Sequence, residues 1–322
     1  MVVESKRANK PVIIAREIII MVASSSFLIL EDGRKLGFID YGNPNGLPII
    51  LLHGTPGSRV FGFENEPLLI NNELRIITPE RPGYGLSDSF QNRTINDFSH
   101  DIEQLANSLN IDKFHVAGVS GGGPYVLACA YCLPSRVLSA TLIASATPTG
   151  LSGFFKGMSL GNKVAFILAK YMPFLLKPLY MYSANLIQKH PEKLLQGINS
   201  QLCSWDQQVL SNLEEDGKIE TFIYHIREAY QQGYLGAYSD MMLLTKPWGI
   251  DFQALKLPIF MWHGESDTLM PISSAKSFSK ILPNPECFFI KQAGHLLLES
   301  DEYSQKIIDK IKHHAPNVER IS

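Results

Sequence analysis

The sequence Phe-His-Val-Ala-Gly-Val-Ser-Gly-Gly-Gly, residues 114–123, decides the fold. Its first part, Phe114–Val119, is an apolar run of the length and composition typical of a strand buried on both faces of a parallel sheet. The pattern G-x-S-x-G follows at Gly118–Gly122, and a helical pattern continues to Tyr131. A strand, a tight turn and a helix in this order predict that Ser120 lies on the turn. Small residues at positions 118 and 122 would let neighbouring backbone come close to it.

Strands and helices alternate on both sides of this stretch. Ser26–Leu30 and Lys35–Tyr41 flank the turn signal Glu31-Asp32-Gly33 and predict an antiparallel hairpin. Apolar runs predict further strands at 48–53, 74–78, 137–143, 258–263 and 287–290, and helical spacing predicts helices at 94–110, 273–281 and 303–311. The sequence therefore predicts an α/β fold with a mostly parallel central sheet and an N-terminal antiparallel hairpin.

The alternation stops between about Thr147 and Lys246. Amphipathic segments rich in Met, Tyr, Phe and Leu replace it, at 164–171, 174–187, 206–213 and 219–231. We therefore predict a core of residues 25–146 and 247–322 that carries an inserted helical lid at 147–246.

Residues 1–24 are predicted to form a poorly ordered extension, with a cleaved signal peptide or membrane anchor as the alternative. Arg16 and Glu17 interrupt the apolar stretch of this segment. The uncharged run at 18–30 is shorter than the roughly 20 residues that a membrane-spanning helix needs. We therefore expect no stable membrane span.

The composition favours a globular enzyme. Of 322 residues, 45% are hydrophobic and 19% charged, which excludes a disordered or fibrous chain. Lys and Arg number 29 against 31 Asp and Glu, so no basic surface is indicated and we expect no nucleic acid as partner. Four cysteines are too few for a disulfide scaffold, which indicates either a reducing compartment, with the cytoplasm as the expected location, or a fold that is indifferent to redox conditions. The oligomeric state does not follow from the sequence.

A serine hydroxyl group is a weak nucleophile that needs a base, and the base needs an orienting group. Among nine histidines, His295 lies in a loop directly after the last predicted strand, where its imidazole can overhang the carboxyl edge of the sheet. The loop after strand 258–263 offers Glu265 and Asp267. We favour Asp267 because it is farther from the strand end, which leaves chain to fold over the edge. Glu265 is the alternative.

Acyl chemistry also needs N–H donors for the developing oxyanion. The loop His53-Gly54-Thr55-Pro56-Gly57 follows the first buried strand. Because Pro56 has no N–H, the Thr55 amide is the expected donor from this loop. The second expected donor is the amide of Gly121, directly after Ser120.

These residues together resemble the α/β-hydrolase superfamily, in particular its lid-bearing serine hydrolases, the esterase, lipase and proline-iminopeptidase-like group. The resemblance covers about residues 25–312. It includes Arg81–Asp88, which is similar to the D-R-x-G-x-G-x-S segment common in the family, although Glu80 stands where Asp is usual. The chain order Ser120, Asp267, His295 is the order expected for the triad of this family. The resemblance implies an α/β-hydrolase fold and an enzyme that needs neither cofactor nor metal.

The implied activity is that of a carboxylesterase-like serine hydrolase acting on a small to medium apolar acyl substrate, as an ester, amide or thioester. Ser120 argues against the haloalkane dehalogenases and epoxide hydrolases, which use an aspartate nucleophile. The same triad could serve an aminopeptidase, a C–C hydrolase, an acyltransferase or a perhydrolase. A ligand receptor without catalytic activity is the other alternative.

Two further features of the sequence have simpler interpretations. Cys129 and Cys132 form a C-x-x-C pattern without the second pair that a zinc site needs, so we interpret them as helix residues. Asp240 is interpreted as a helix cap or as a salt-bridge partner in the lid.

Overall fold

The framework of the protein is one eight-stranded sheet, seen in a computed structural model that describes residues 25–61 and 73–314. The predicted extension at 1–24 lies outside the described residues. The strands are β1 Ser25–Ile29, β2 Lys35–Gly42, β3 Leu47–Leu52, β4 Leu74–Pro79, β5 Phe114–Val119, β6 Val137–Ile143, β7 Ile259–Gly264 and β8 Glu286–Ile290. They lie in the order β1-β2-β4-β3-β5-β6-β7-β8.

The strand directions confirm the predicted sheet. β2 is antiparallel to both β1 and β4, and the pairs from β4 through β3, β5, β6 and β7 to β8 are all parallel. The helices packed on this sheet are α1 Asp97–Ser108, α2 Gly123–Cys132, α9 Ile272–Ser279 and α10 Asp301–Lys312.

Both faces of the sheet are covered. Successive strand residues point to opposite faces. Accordingly, Ile50 and Val116 pack with α1 and α2, whereas Ile49 and Ala117 pack with α10. The central strands are fully buried, which is why they appear in the sequence as continuous apolar runs.

Six helices lie between β6 and β7, and we call them the helical insertion (residues 160–244). They are α3 Leu160–Tyr171, α4 Pro173–Lys189, α5 Pro191–Asn199, α6 Ser204–Glu215, α7 Ile219–Ala229 and α8 Leu235–Leu244. Two of them, α5 and α8, were not predicted. Helix α5 has only nine residues and none of them is buried, whereas α8 is apolar on nearly all sides and so lacks an amphipathic period. The division into core and lid at residues 147 and 246 stays a prediction.

The structure explains how a glutamate fits where the family resemblance leads one to expect an aspartate. The fully buried Glu80 accepts hydrogen bonds from the Arg59 amide at 3.1 Å, the Arg59 Nη1 at 2.8 Å and the Leu86 amide at 2.7 Å. The longer side chain is accommodated by Gly85, whose φ is +46°, since a Cβ there would lie 1.8 Å from Glu80 Oε1. The segment after β4 is thus folded around this carboxylate.

One carboxylate in the helical insertion ties it to the sheet. Asp240 lies inside α8 and is fully buried. It accepts hydrogen bonds from five side chains of the core: Thr55 Oγ1 at 3.0 Å, Arg81 Nε at 2.7 Å, Tyr84 OH at 2.9 Å, Arg93 Nη2 at 2.5 Å and Tyr125 OH at 2.7 Å. Burial alone would raise the pKa of Asp240, but the two arginines hold it well below its usual range. Of the two roles considered for Asp240, the salt bridge is found and the helix cap is wrong.

We expect Asp240→Ala to destabilise the protein strongly, because Arg81 and Arg93 would remain as buried cations without their counter-ion. Breaking a buried ion pair in this way typically lowers the free energy of unfolding by about 3–5 kcal/mol. Urea unfolding followed by circular dichroism measures the loss. The matched control is Glu214→Ala on α6, where an exposed carboxylate is removed and a change within about 0.5 kcal/mol is expected. Equal stabilities of the two variants would contradict the anchoring role.

Candidate active site

Ser120 lies on a strained turn at the carboxyl end of β5. Its φ is +52°, which non-glycine residues seldom adopt, and a short 3₁₀ turn at Ser120–Gly122 leads directly into α2. Neighbouring atoms leave no room for a side chain at Gly118 or Gly122, on either side of Ser120. A Cβ on Gly118 would lie 2.7 Å from Val126 Cγ2, and one on Gly122 would lie 2.5 Å from the Leu52 carbonyl oxygen. The predicted geometry of the G-x-S-x-G turn is therefore present, with Ser120 half-buried.

The structure brings His295 and Asp267 together. His295 follows β8, Asp267 follows β7, and the distance between His295 Nδ1 and Asp267 Oδ2 is 2.8 Å. The other carboxylate oxygen, Oδ1, accepts the backbone N–H groups of Leu269 and Met270, both at 2.8 Å. The Asp267 carboxylate is therefore held from both sides, and Nε2 of the imidazole is left free of this pair.

His263 also lies close to the Asp267 carboxylate. Its Nε2 is 2.6 Å from the Met270 carbonyl oxygen and 3.5 Å from Asp267 Oδ2. Burial lowers the pKa of His263. A neutral His263 that donates its Nε2 proton to the Met270 carbonyl fits these distances.

Three carboxylates set the charge of the His295 imidazole. Although burial alone would lower the pKa of His295, Asp267 raises it, and Asp206 and Glu299 add to the effect, so that the pKa reaches about 9. Burial alone would likewise raise the pKa of Asp267, but the neighbouring His295 lowers it. The pair thus favours the ionic form, an imidazolium beside a carboxylate.

Asp206, from helix α6 of the helical insertion, supports the histidine loop directly. It is fully buried, and its Oδ1 accepts the backbone N–H of Leu296 at 2.9 Å. A Cβ on Gly294 would lie 2.2 Å from Asp206 Oδ2, so only glycine fits beside this carboxylate. Sequence reasoning did not single out Asp206, because an acid in the first turn of a helix is ordinary.

Glu299 is the third carboxylate near His295. Its Oε2 is buried and has no hydrogen-bond partner within the described ranges, and burial raises its pKa to about 7.

Thr55 and Gly121 lie side by side next to Ser120. A Cβ built on Gly121 would be 3.3 Å from the Thr55 nitrogen, and one built on Gly54 would be 3.5 Å from Ser120 Cβ. In the part of the chain that the structure describes, the N–H groups of Thr55 and Gly121 donate no hydrogen bond to a protein acceptor. Two free N–H groups therefore lie near Ser120.

Arg81 holds the Thr55 loop in place from behind. Its guanidinium donates to the carbonyl oxygens of His53 at 2.5 Å and Gly54 at 2.7 Å, and to Thr55 Oγ1 at 3.1 Å. The same guanidinium donates to Asp240, so the loop, the segment after β4 and α8 share one buried network.

The other residues considered in the sequence analysis form no hydrogen bond with His295 or lie away from the candidate site. Within residues 25–61 and 73–314, the Ser120 hydroxyl group forms no hydrogen bond with His295 or with any other group. The alternative carboxylate, Glu265, pairs with Lys276 at 3.0 Å instead of with His295.

Cys129 is buried in α2 and Cys132 is exposed at its end, and no cluster of metal-ligating side chains occurs among the described residues. Among the described helices, none is both long and apolar enough to cross a membrane.

Comparison with known proteins places this chain in a family. A family model described as alpha/beta hydrolase fold matches residues 48–302. An uncharacterized hydrolase of Bacillus subtilis, YcgS, is 25% identical over 272 residues, which cover 84% of this chain and 91% of the relative. A proline iminopeptidase of Neisseria meningitidis serogroup B is 24% identical over 314 residues, which cover 90% of this chain and 96% of the relative.

A solved structure shows the same fold. A thermophilic esterase from Thermogutta terrifontis superposes with a TM-score of 0.61 over 90% of this chain and 97% of the esterase, at 22% identity. Since the family model covers more than half of the chain and includes Ser120, Asp267 and His295, the protein belongs to the α/β-hydrolase family and is a hydrolase of that fold.

Proposed function

We propose that the protein is a serine hydrolase that cleaves a small to medium apolar carboxylic ester through an acyl-enzyme. The 2.8 Å contact between His295 Nδ1 and Asp267 Oδ2, at the sheet edge to which the strained Ser120 turn also belongs, carries the proposal. Asp267 holds the imidazole with Nε2 available for proton transfer. In the resting state the serine hydroxyl is not hydrogen-bonded to that nitrogen, and in this proposal substrate binding brings the two together.

In the proposed reaction the Ser120 oxygen attacks the ester carbonyl carbon while neutral His295 accepts the hydroxyl proton. The imidazolium then gives this proton to the leaving alcohol, and the acyl group remains on Ser120. A water molecule attacks the acyl-enzyme with His295 again acting as base, which releases the carboxylic acid and restores the serine.

The N–H groups of Thr55 and Gly121 are the proposed donors for the tetrahedral oxyanion. Their closeness to each other and to Ser120, and their lack of a protein acceptor within the described residues, support this role. One such donor is typically worth about 2.7–4 kcal/mol in the transition state. The Arg81 and Asp240 network keeps the Thr55 loop rigid, which such donors need in order to act without reorganisation.

An aminopeptidase is the second candidate, favoured by the similarity to proteins named proline iminopeptidases over about nine-tenths of the chain. A panel of p-nitrophenyl esters of increasing chain length, run beside a panel of aminoacyl β-naphthylamides, separates the two. We expect faster turnover of the esters. A clear preference for the prolyl amide would favour the aminopeptidase. The cytoplasmic location stays a prediction.

Ser120→Ala should abolish the activity without unfolding the protein. Alanine keeps the Cβ of serine and so meets the same backbone requirement at φ +52°, while the nucleophile is lost. We expect kcat to fall by about 10⁴–10⁶-fold on the best ester of the panel. A fluorophosphonate probe should label the wild type and not this variant.

The control for Ser120→Ala is Ser135→Ala, which removes an exposed hydroxyl group outside the site and should leave labelling and kcat unchanged. Labelling that persists in Ser120→Ala would contradict the assignment of the nucleophile, as would a folded wild type that the probe does not label.

The pH dependence of kcat/KM should show the effect of the carboxylates around His295 on the pKa of this residue. Only the neutral imidazole accepts a proton, so kcat/KM should rise as the pH approaches about 9, the value to which the pKa of His295 is raised. Asp206→Asn keeps an oxygen for the Leu296 N–H but removes a charge that raises this pKa, so the rise should move to lower pH. Asp309→Asn, which removes an exposed charge on α10, is the control and should leave the profile unchanged.

The raised pKa of His295 also predicts how the stability of the protein changes with pH. The pKa of His295 in the native state lies above the ordinary value of 6.5, so its contribution is fully present below pH 6.5 and is lost as the pH rises through about 9. His295→Gln should remove this part of the pH dependence of the free energy of unfolding.

For the prediction on activity, identical pH–rate profiles for the wild type and Asp206→Asn would show that Asp206 does not act on His295.

A further inference from the structure

The outer face of helices α3 and α4 is unusually apolar for a surface. Of the fourteen large apolar side chains that are exposed in the described ranges, ten lie between Leu160 and Tyr182. Leu160, Tyr171, Phe174 and Tyr182 are the most exposed of them, at 75%, 69%, 69% and 63%. Single exposed apolar residues are normal on proteins, but a contiguous set of this kind marks an interaction surface.

Helical spacing aligns most of these side chains in a stripe along each helix. Leu160, Val164, Ile167 and Tyr171 follow one another at intervals of four, three and four residues, so they form one stripe along α3. A corresponding stripe on α4 consists of Leu175, Leu179 and Tyr182, which follow one another at intervals of four and three residues.

The opposite faces of both helices are apolar for a different reason. Phe166 and Ala169 of α3 and Leu176 of α4 are buried and pack with Met241 of α8. Core packing therefore accounts for the inner faces and leaves the outer faces unexplained. A helix that is apolar on both sides is normally covered on both sides.

The charged side chains of α3 and α4 all have the same sign. From Lys113 to Pro191 the sequence contains no Asp or Glu, and α3 and α4 carry Lys163, Lys170, Lys177 and Lys189. Lys163 and Lys170 are seven residues apart and border the apolar stripe of α3 on one side. Apolar and aromatic side chains bordered by lysines are the pattern of helices that lie in the interface of an anionic lipid membrane.

A second copy of the chain fits this surface less well than lipid does. A two-fold contact would bring the same patch of both copies together, and with it the lysines of both copies without any acid on α3 or α4 to offset them. Lysine is also depleted in the cores of protein interfaces. Lipid headgroups, in contrast, supply the negative charge that this surface lacks, and tyrosines such as Tyr171 and Tyr182 suit the level of the headgroups.

We propose that the outer face of α3 and α4 docks on an anionic lipid surface. The two helices lie in the plane of the interface with their exposed apolar side chains among the upper acyl chains, and the lysines contact the headgroups. None of the exposed side chains of this surface belongs to the residues proposed for catalysis, so the docking does not depend on the proposed activity.

Sedimentation with vesicles tests the proposal on the full chain. We expect binding to vesicles of equal parts phosphatidylcholine and phosphatidylglycerol at least about tenfold tighter than to phosphatidylcholine alone, weakening as salt is added. The double variant Tyr171→Ser, Phe174→Ser should lower the affinity by about tenfold or more, because two apolar side chains no longer enter the membrane. Lys170→Gln with Lys177→Gln should lower it by a similar factor and reduce the preference for anionic vesicles, since only two of the four lysines remain.

Matched controls remove the same groups elsewhere. Phe27→Ser with Ile29→Ser removes two apolar side chains that are 53% and 54% exposed on β1, and Lys113→Gln with Lys280→Gln removes two exposed lysines away from α3 and α4. Both control variants should bind the vesicles as the wild type does, and unchanged thermal unfolding of every variant shows that the fold is kept.

Three results would overturn the proposal. The first is no binding to either type of vesicle, and the second is equal binding to both. The third is a dimer in sedimentation equilibrium, without lipid, that Tyr171→Ser, Phe174→Ser dissociates, because the patch would then be the contact between two copies.

Discussion

The buried Asp240 carboxylate, with Arg81 and Arg93 on either side, is the interaction on which most of this structure depends. Two cations without a counter-ion could not remain in the interior, because the cost of removing them from water would exceed what packing returns. The carboxylate comes from the helical insertion and the arginines come from the segment after β4. The position of the insertion over the sheet is therefore determined by charge as well as by apolar contact.

The same network reaches the candidate active site. Arg81 donates to the carbonyl oxygens of His53 and Gly54, and Asp240 accepts from Thr55, so the loop that bears one proposed oxyanion donor is fixed by groups behind it. On the other side of the site, Asp206 of the insertion accepts the Leu296 N–H beside His295. The Thr55 loop and the His295 loop are thus both held by carboxylates from the helical insertion. A shift of the insertion would therefore move both loops.

The helical insertion has two different surfaces that serve different purposes. Its inner surface contributes Asp206, Asp240 and the apolar side chains that pack on the core. Its outer surface, on α3 and α4, combines exposed aromatic and aliphatic side chains with lysines only. In our proposals the inner surface organises catalysis and the outer surface brings the enzyme to lipid, where apolar acyl compounds concentrate.

The sequence by itself determined the sheet, the turn at Ser120, and the loops that carry Asp267 and His295, because each of these follows from a local pattern. A buried parallel strand appears as an apolar run, and a residue after a strand end is placed at the sheet edge by topology alone. Only the tertiary structure shows that Asp267, and not Glu265, contacts His295, since both follow the same strand and the contact depends on how one loop folds against another.

The tertiary structure alone also revealed the roles of Asp206 and Asp240. Asp240 and Thr55 are 185 residues apart in the chain, and Asp206 and Leu296 are 90 apart. No periodicity or motif connects residues across such distances. A single charged residue in the otherwise apolar α8 was the one local sign that Asp240 is buried, and its partners became identifiable only when the chain was folded.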